Sequence, residues 1–283
     1  MNAASSIETR ENREFASEIK FLVSPELAGQ ICGWARGRLL ADRHGAGLDG
    51  DAYQIASLYF DTDRMDVFQR NGSFGRSKYR IRRYGLSEVV FLERKLKTRG
   101  LLTKRRSIVK RDELERLAEP EPDRDRGWAG HWFHRRILAR QLKPVCQIAY
   151  SRTARVAMTQ YGPIRLTLDE NLRAVPVNRL VFCGSKDQTP LLEHGVILEL
   201  KFRFAVPTLF KLLVEEFALN PRPISKYRLA VTALGLDPKS AAAECAGVGV
   251  PLSGGLTFGS PEGGTPNGHV LTRSSELQEY PHA

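Results

Sequence analysis

The sequence lacks the features that mark several large classes of protein. Its four cysteines are scattered along 283 residues without CxxC or CxxxH spacing, so neither a disulfide framework nor a zinc knuckle is expected. No apolar run approaches the roughly 18–20 residues that a membrane helix requires. The polar N-terminus has no apolar stretch typical of a signal peptide. We therefore expect no membrane segment in this chain and a location in the reducing cytoplasm.

The common fingerprints of nucleotide and zinc enzymes are absent as well. The sequence contains no Walker A loop, GxGxxG or HExxH motif. Its 42% hydrophobic and 27% charged residues nevertheless indicate a globular protein rather than a wholly disordered chain. The length allows one large domain or two small ones with a substantial core.

Acidic residues are scarce in one segment. Residues 76–111 hold fourteen lysines and arginines but only two acids, Glu88 and Glu93. The whole chain has a formal charge of +11, so everything outside this segment is close to neutral. This pattern excludes a uniformly basic, histone-like coat and favours a local surface for a polyanion.

Composition divides the chain into three parts. Residues 1–13 are polar and predict a flexible leader. Residues 246–268 contain eight glycines and three prolines, a composition that buries too little apolar surface to offset the entropy of ordering. We predict one folded domain over 14–240 and a disordered Gly/Pro/Ser-rich tail over 241–283.

Alternation of apolar and polar residues with period two predicts eight strands. They cover 15–23, 54–60, 77–84, 88–97, 104–110, 145–152, 163–169 and 196–204. Helices are expected between and after them. One begins at Pro25 with Ser24 as its cap, and the others cover 131–141, 208–219, a short stretch after Lys226 and a weaker candidate at 112–118.

These strands place charged residues on one face and apolar residues on the other. In 77–84, Lys78, Arg80 and Arg82 alternate with Tyr79 and Ile81. A single such strand is typical of the solvent face of an ordinary antiparallel sheet. Several neighbouring cationic strands repel one another, however, unless a polyanion lies between them. An eight-stranded sheet can close around a ligand, so the set predicts a barrel with a charged interior and an apolar exterior covered by helices.

Three glutamates share the cationic face. Glu18, Glu93 and Glu199 each lie two residues before a lysine. They are interpreted either as ion-pair partners or as ligands of Mg²⁺ or Mn²⁺ bound together with phosphate oxygens. The residues alone leave both interpretations open.

Nine segments in a fixed order resemble the VTC domain, the polyphosphate-polymerase-like branch of the triphosphate tunnel metalloenzyme superfamily, which also contains the CYTH proteins. They are EIKFLVSPELA (18–28), YQIASLYFDT (53–62), SKYRIRRYG (77–85), VFLERKLK (90–97), LTKRRS (102–107), YSRTA (150–154), IRLTLDENL (164–172), ILELKF (197–202) and SKYRLA (225–230). Each segment is a weak signal alone, but their common order across about 14–235 is specific.

The resemblance implies an α+β fold in which an eight-stranded antiparallel β-barrel, the triphosphate tunnel, has a charged lumen and surrounding helices. It implies catalytic or phosphate-binding roles for Lys78, Arg80, Arg82, Lys95, Lys104, Arg152, Arg165, Lys201 and Lys226. Further ligand contacts are expected from Lys20, Arg106, Tyr150 and Ser225, with Lys20 and Arg106 placed by strand phase. Glu199 matches the metal-binding glutamate, and Glu18 and Glu93 are further candidates for Mn²⁺ or Mg²⁺.

The function that the resemblance implies is a metal-dependent polyphosphate polymerase, which transfers the γ-phosphate of ATP to a polyphosphate chain. Hydrolysis of triphosphate or nucleoside triphosphates is the first alternative, and non-catalytic polyphosphate binding is the second. Hydrolytic CYTH relatives begin with ExExK, whereas this chain reads Ala16, Glu18, Lys20, which disfavours a CYTH-type triphosphatase or cyclase. Nucleic acid is disfavoured because acids interrupt the cations and no open groove of stacking aromatics is evident.

Several other residues are expected to be structural. His131 and His134 have no third metal ligand beside them, and Cys146 alternates with an apolar residue as a small buried side chain does. Arg83 and Arg94 fall on the face opposite the predicted lumen, where we expect surface charges.

Overall fold

The computed structural model describes residues 17–45, 51–98, 101–184 and 187–238. The predicted leader at 1–13 and the whole of the predicted tail at 241–283 therefore lie outside the described residues, as does residue 240 at the predicted end of the domain. Within the described ranges, no helix has the length and apolar character needed to cross a membrane.

Ten strands in the described part of the chain form one antiparallel sheet. They are β1 (Ser17–Val23), β2 (Leu40–Ala41), β3 (Ala52–Asp61), β4 (Ser77–Tyr84), β5 (Val89–Thr98), β6 (Leu101–Lys110), β7 (Lys143–Thr159), β8 (Gly162–Pro176), β9 (Thr189–Pro190) and β10 (Val196–Phe202). Eight of them follow the order β1-β10-β8-β7-β3-β4-β5-β6, while β2 pairs with β7 and β9 with β8. These eight are the strands that the sequence predicts.

Helices lie between and after the strands. They are α1 (Pro25–Arg36), α2 (Asp66–Gln69), α3 (His131–Ala139), α4 (Thr208–Glu216) and α5 (Lys226–Ala233), with 3-10 turns at Gly72–Arg76 and Asp112–Ala118. The Ser24 hydroxyl accepts a hydrogen bond from the Leu27 N–H, and Pro25 occupies the first position of α1, as expected for a helix start. The weak helical signal at 112–118 is a 3-10 helix.

The sheet curls so that its two ends face each other. No backbone pairing between β1 and β6 is found among the described strands. The Nζ of Lys95 on β5 nevertheless lies 2.9 Å from Oε1 of Glu18 on β1, although these strands stand first and seventh in the sheet order. This contact crosses the interior. The predicted eight-stranded antiparallel architecture is therefore confirmed, as a curled sheet that is not closed by hydrogen bonds.

The apolar core lies outside this curl, where helices cover the sheet. Helices α1 and α4 pack against β1, β8 and β10, with buried side chains that include Ile31, Trp34, Phe210, Leu198 and Leu200. A second cluster joins α3 and α5 to β3, β4, β5 and β7 and includes Leu58, Ile81, Leu92, Phe133 and Ile148. Each such buried side chain contributes roughly 1.5–3 kcal/mol. Burial outside the curl leaves the inner face available for charged residues.

Strands β7 and β8 are longer than predicted. Instead of 145–152 and 163–169, they run for 17 and 15 residues and form a hairpin whose turn uses Gly162 with φ 103°. Asn171 has a left-handed φ of 53°, where the β7–β8 register shifts between Ala149 and Ser151. The short strands β2 and β9 pair with this hairpin. Such pairing extends strands beyond their apolar alternation, which explains the difference.

Candidate functional site

The inside of the curled sheet holds a connected set of charged side chains, here named the lumen cluster. Its cations are Lys20, Lys78, Arg80, Arg82, Lys95, Lys104, Arg106, Arg152, Arg165, Lys201 and Lys226, and its carboxylates are Glu18, Asp42, Glu93, Asp169 and Glu199. Eleven cations therefore meet five carboxylates, an excess of six positive charges. All the cations predicted for the site are members.

Glu93 is the counter-ion of one wall of the tunnel. It is 2% exposed, and its carboxylate lies 2.7 Å from Arg80 Nε, 2.6 Å from Lys104 Nζ and 3.1 Å from Arg106 Nε. Burial favours protonation, but Lys104 and Arg80 outweigh it and hold the pKa of Glu93 well below its ordinary value. Three cations from β4 and β6 are thus fixed by one glutamate from the strand between them.

Two carboxylates on neighbouring strands share their cations on the opposite side. Asp169 on β8 accepts two hydrogen bonds from Arg152, Nε–Oδ1 at 2.6 Å and Nη2–Oδ2 at 2.7 Å. Lys226 Nζ lies 2.5 Å from Asp169 and 3.0 Å from Glu199 on β10. Arg152 also approaches Glu199, at 3.8 Å. Bidentate arginine pairs of this kind fix geometry as well as charge.

Lysines connect Glu199 to Glu18. Lys20 Nζ lies 3.3 Å from Glu199 and 3.6 Å from Glu18, and Lys201 is paired with Glu199. Burial opposes ionisation of Glu18, but Lys95 and Lys20 lower its pKa to about 2. Burial, only partly opposed by Glu199, lowers the pKa of Lys201 to about 8. Lys201 is therefore less firmly protonated than an exposed lysine, whereas Glu199 and Glu18 outweigh burial at Lys20 and raise its pKa above the ordinary value.

Helix α5 brings Ser225 and Lys226 into the lumen. Ser225 is the N-cap of α5, and its hydroxyl accepts a hydrogen bond from Lys78 Nζ at 3.0 Å. Tyr227 anchors the helix, because its ring stacks on Tyr59 at 5.5 Å and its hydroxyl donates to Asp61 at 2.6 Å. The SKY sequence thus caps a helix, supplies a lumen lysine and fastens both to β3.

Neutral side chains also orient two cations of the lumen cluster, Arg82 and Arg106. Arg82, which is 5% exposed, donates to Ser57 Oγ at 3.2 Å and to the Tyr150 hydroxyl at 3.0 Å. Arg106 donates to the Tyr84 hydroxyl at 2.9 Å. Because these oxygens carry no full charge, they orient the guanidinium groups without neutralising them.

Two carboxylates of the lumen cluster, Asp42 and Asp169, were not assigned a role from sequence. Arg165 pairs with Asp42 and donates to the Tyr53 hydroxyl at 2.9 Å. Asp42 follows the two-residue strand β2, and no local pattern marks it. Asp169 does have a signal, because strand phase puts it on the same face as Arg165. Its position opposite Arg152 is what gives it a partner.

The three glutamates predicted as metal candidates lie in two separate parts of the lumen. Glu93 is surrounded by cations of its own wall, whereas Glu18 and Glu199 are linked through Lys20. The described residues contain no group of three or more His, Cys, Asp or Glu side chains that could hold a metal ion. Glu199 therefore stays the predicted metal-binding glutamate, and Glu18 and Glu93 stay the further candidates. Glu199, with Glu18 or Asp169, fits a divalent ion only where ligand oxygens complete the coordination, as Mg²⁺ often requires.

Residues outside the lumen have structural environments. His134 is fully buried; its Nδ1 accepts a hydrogen bond from the Asp123 N–H, and its Nε2 lies 3.0 Å from the Glu119 carbonyl. Cys146 is fully buried, and burial raises its pKa to about 12. Arg83 lies over the Phe182 ring at 4.8 Å, on the outer side as expected.

Two solved structures are similar to this chain. A candidate adenylate cyclase from Bacillus halodurans is similar, with 16% identity and a TM-score of 0.46 over 75% of this chain and 94% of that chain. A candidate adenylyl cyclase from Hippeastrum, described as having a dominant triphosphatase activity, gives 14% identity and a TM-score of 0.45 over 77% and 95%. No curated protein matches the sequence.

The family assignment comes from the sequence itself. Residues 15–235 match the VTC domain, which is most of the 283 residues and spans every strand of the sheet. This match supports a tunnel enzyme related to polyphosphate or triphosphate chemistry. The chain belongs to the VTC domain family.

Proposed function

We propose that the protein is a metal-dependent polyphosphate polymerase, which transfers the γ-phosphate of ATP to the end of a polyphosphate chain in the lumen. The observation that carries this proposal is the excess of six cations over carboxylates in the lumen cluster. Buried charges of one sign are costly unless they are compensated. A chain of phosphates supplies closely spaced negative charges to such an interior.

Different lumen cations are suited to bind different phosphates of the chain. Arg80, Arg82 and Lys78 extend along one strand and are suited to hold consecutive phosphates. Lys226 and Arg152, which lie between Asp169 and Glu199, are suited to hold the phosphate nearest the carboxylates. Because their partners already orient them, little reorganisation is required when charge develops in the transition state.

The proposed reaction is an in-line transfer. A terminal oxygen of the acceptor phosphate attacks the γ-phosphorus of ATP and forms a new P–O bond. The bond between the γ-phosphorus and the bridging β,γ oxygen breaks, and ADP leaves with that electron pair. The lumen cations stabilise charge on the transferred group and on the leaving β-phosphate, as in other phosphoryl transfers. A divalent ion at Glu199, bound together with phosphate oxygens, would polarise the γ-phosphate.

The protonation states of the lumen carboxylates favour transfer over hydrolysis. Burial favours the protonated form of each lumen carboxylate, but neighbouring cations outweigh this effect. They hold the pKa values below the ordinary range at Glu18, Glu93, Asp169 and Glu199. Such carboxylates are weak general bases, and an attacking water molecule must lose a proton. A terminal phosphate oxygen is largely deprotonated at neutral pH, so it needs no base.

Product sizing tests this function. Incubation with ATP and Mn²⁺, followed by gel electrophoresis of the products, should show phosphate chains that lengthen with time. Release of free phosphate alone would support the hydrolase alternative, and binding of polyphosphate without turnover would support the non-catalytic one.

The Glu199→Ala variant tests the metal assignment. We expect turnover with ATP and Mn²⁺ to be abolished while the thermal unfolding transition remains cooperative. Glu170→Ala is the matched control, because Glu170 lies on β8 without an ion-pair partner among the described residues and should retain normal turnover. Normal turnover in Glu199→Ala would refute a role for this carboxylate in metal binding.

A further inference from the structure

A second cationic site lies on the outside of the sheet, away from the lumen cluster. Arg105, Trp132, Arg135, Arg136 and Ala139 line a cavity of about 270 Å³ between β6 and α3. These residues, all within the described part of the chain, include three arginines and no acid. We call this cavity the outer cleft.

The outer cleft contains one arginine that is held in place and two that are accessible. Arg105 lies over the Trp132 ring at 4.5 Å, and the indole Nε1 donates to Ser107 Oγ at 3.0 Å. Arg135 and Arg136 are exposed on α3, and neither has an ion-pair partner among the described residues. A guanidinium that is oriented before binding loses less entropy when it contacts an anion.

Cations also accumulate around the cleft. Arg94 on β5 is directly opposite Arg105 on β6 in the strand register. A fourth arginine therefore lies beside the three that line the cleft. Trp132 is the aromatic ring among the lining residues, and Arg105 already lies over it. Stacking of a nucleobase on this ring is therefore disfavoured. The cleft therefore favours an anion without rings.

Strand β6 connects the two cationic surfaces. It is the last strand of the sheet order and pairs only with β5 among the described strands. Lys104 and Arg106 contact Glu93 inside the curl, whereas Arg105, between them in sequence, lines the outer cleft. A polyanion that leaves the lumen across this edge therefore meets a second group of cations one sheet thickness away.

We propose that the outer cleft binds the part of a polyphosphate chain that extends beyond the lumen. The identity of the ligand rests on the proposed function, but its binding can be measured without turnover. A chain that occupies both sites gains avidity, because the second contact is intramolecular. Tripolyphosphate is too short to occupy both and should bind only in the lumen.

The test compares long-chain polyphosphate with tripolyphosphate in equilibrium binding to the full chain. We expect the wild type to bind the long chain at least about tenfold more tightly, in line with avidity from two linked contacts. The Arg135→Glu/Arg136→Glu variant should lose most of this advantage and keep its affinity for tripolyphosphate within about twofold, since neither residue contacts the lumen cluster. Thermal unfolding verifies that the variant is folded.

A matched control separates the cleft from general charge. Arg179→Glu/Lys211→Glu makes the same change in net charge at two exposed cations elsewhere and should retain the long-chain advantage. The proposal is refuted if the Arg135/Arg136 variant also retains it, or if both double variants lose it equally. Equal competition by a mixed oligonucleotide would likewise overturn it in favour of a nucleic-acid surface.

The two proposals fail in different ways. If no polymer is made but the long-chain advantage depends on Arg135 and Arg136, the polymerase function is refuted and the outer cleft is supported. If polymer is made while the advantage is unaffected by the variant, the outer cleft is refuted and the function is supported.

Discussion

Replacement of Lys78 by methionine should make the ligand-free protein more stable and a poorer binder. Lys78 has no carboxylate partner among the described residues, and its Nζ donates only to Ser225 Oγ. Burial, together with the positive charges of Lys20 and Lys95, lowers its pKa to about 8. Charge at this position therefore opposes folding. Methionine keeps much of the aliphatic length and removes the charge.

The magnitude follows from the shift in pKa. A change from the ordinary 10.5 to about 8 corresponds to at most about 3 kcal/mol at neutral pH, since each unit is about 1.4 kcal/mol. Loss of the Ser225 hydrogen bond offsets about 1 kcal/mol. We expect Lys78→Met to raise the free energy of unfolding by about 1–2 kcal/mol at pH 7. Its affinity for tripolyphosphate should fall at least about tenfold, because a hydrogen bond to a charged group contributes about 1.5–3 kcal/mol.

The sign of the pH dependence is opposite to that of an ordinary ion pair. A lysine whose pKa is lower in the folded protein opposes folding most strongly below that lower pKa. As the pH rises from about 8 towards 10.5, the wild-type lysine is neutral in the folded state but still binds a proton in the unfolded state. Wild-type stability should rise relative to Lys78→Met through this window.

Urea unfolding at pH 7, with and without tripolyphosphate, measures both effects. Lys95→Met is the matched control, because Lys95 Nζ lies 2.9 Å from Glu18 and its removal leaves that carboxylate with Lys20 at 3.6 Å. Lys95→Met should not stabilise the protein. A ligand-free Lys78→Met protein that is less stable than the wild type would refute the reasoning, as would equal shifts in the two variants.

Three further predictions concern other titratable groups. Glu93→Gln should lower the free energy of unfolding by about 3–5 kcal/mol, because three cations lose a buried counter-ion. A change below about 1 kcal/mol in urea unfolding would contradict the role of Glu93 as that counter-ion. Affinity for tripolyphosphate, measured by calorimetry, should fall from pH 7 to pH 9, because Lys78 and Lys201 both have a pKa of about 8 and become neutral in this range. An affinity that does not change with pH would count against these lysines as phosphate contacts. His134→Ala should destabilise the protein by about 2–4 kcal/mol, since it removes a buried ring and two hydrogen bonds. The turnover of the folded enzyme should be unchanged. Loss of turnover in a variant that is fully folded would assign His134 to the site.

Strand phase predicted which cations of β4 share one face. The strand predicted at 77–84 has the same bounds as β4, and Lys78, Arg80 and Arg82 all contact lumen residues. Period two determines which side chains share a face whenever the opposite face is buried. Here the opposite face carries Tyr79 and Ile81, which are 3% and 0% exposed, so the phase of the strand was unambiguous.

Strand phase could not predict which charges become partners. Arg152 meets Asp169 because the β7–β8 register, which continues unbroken from the turn between Thr159 and Gly162, aligns them. The strands predicted at 145–152 and 163–169 did not reach that turn, so they did not define the register. Arg165 meets Asp42 because the pairing of β2 with β7 brings Asp42, the next residue, beside the sheet. Contacts of this kind depend on long-range pairing, whereas an alternation pattern is local.

The repeated ExK pattern shows the same limit. Glu93 and Glu199 occupy the same position in it, but β5 lies between two cationic strands, whereas β10 lies beside the strand that carries Asp169. Glu93 therefore serves as a counter-ion for three cations, while Glu199 lies in a region with a second carboxylate. The same ExK motif therefore gives glutamates with different electrostatic environments, because the neighbouring strands of the sheet differ.

The position of the core explains how the fold tolerates so much internal charge. Helices bury the apolar side of every long strand from outside, and this burial stabilises the protein without any contribution from the lumen. The lumen in turn keeps six more cations than carboxylates, which opposes folding until an anion enters. Ligand binding and folding are therefore linked: an anion at about 100 times its Kd adds about 2.7 kcal/mol to the free energy of unfolding. The charge excess that destabilises the empty lumen is the same property that suits it to an anionic ligand.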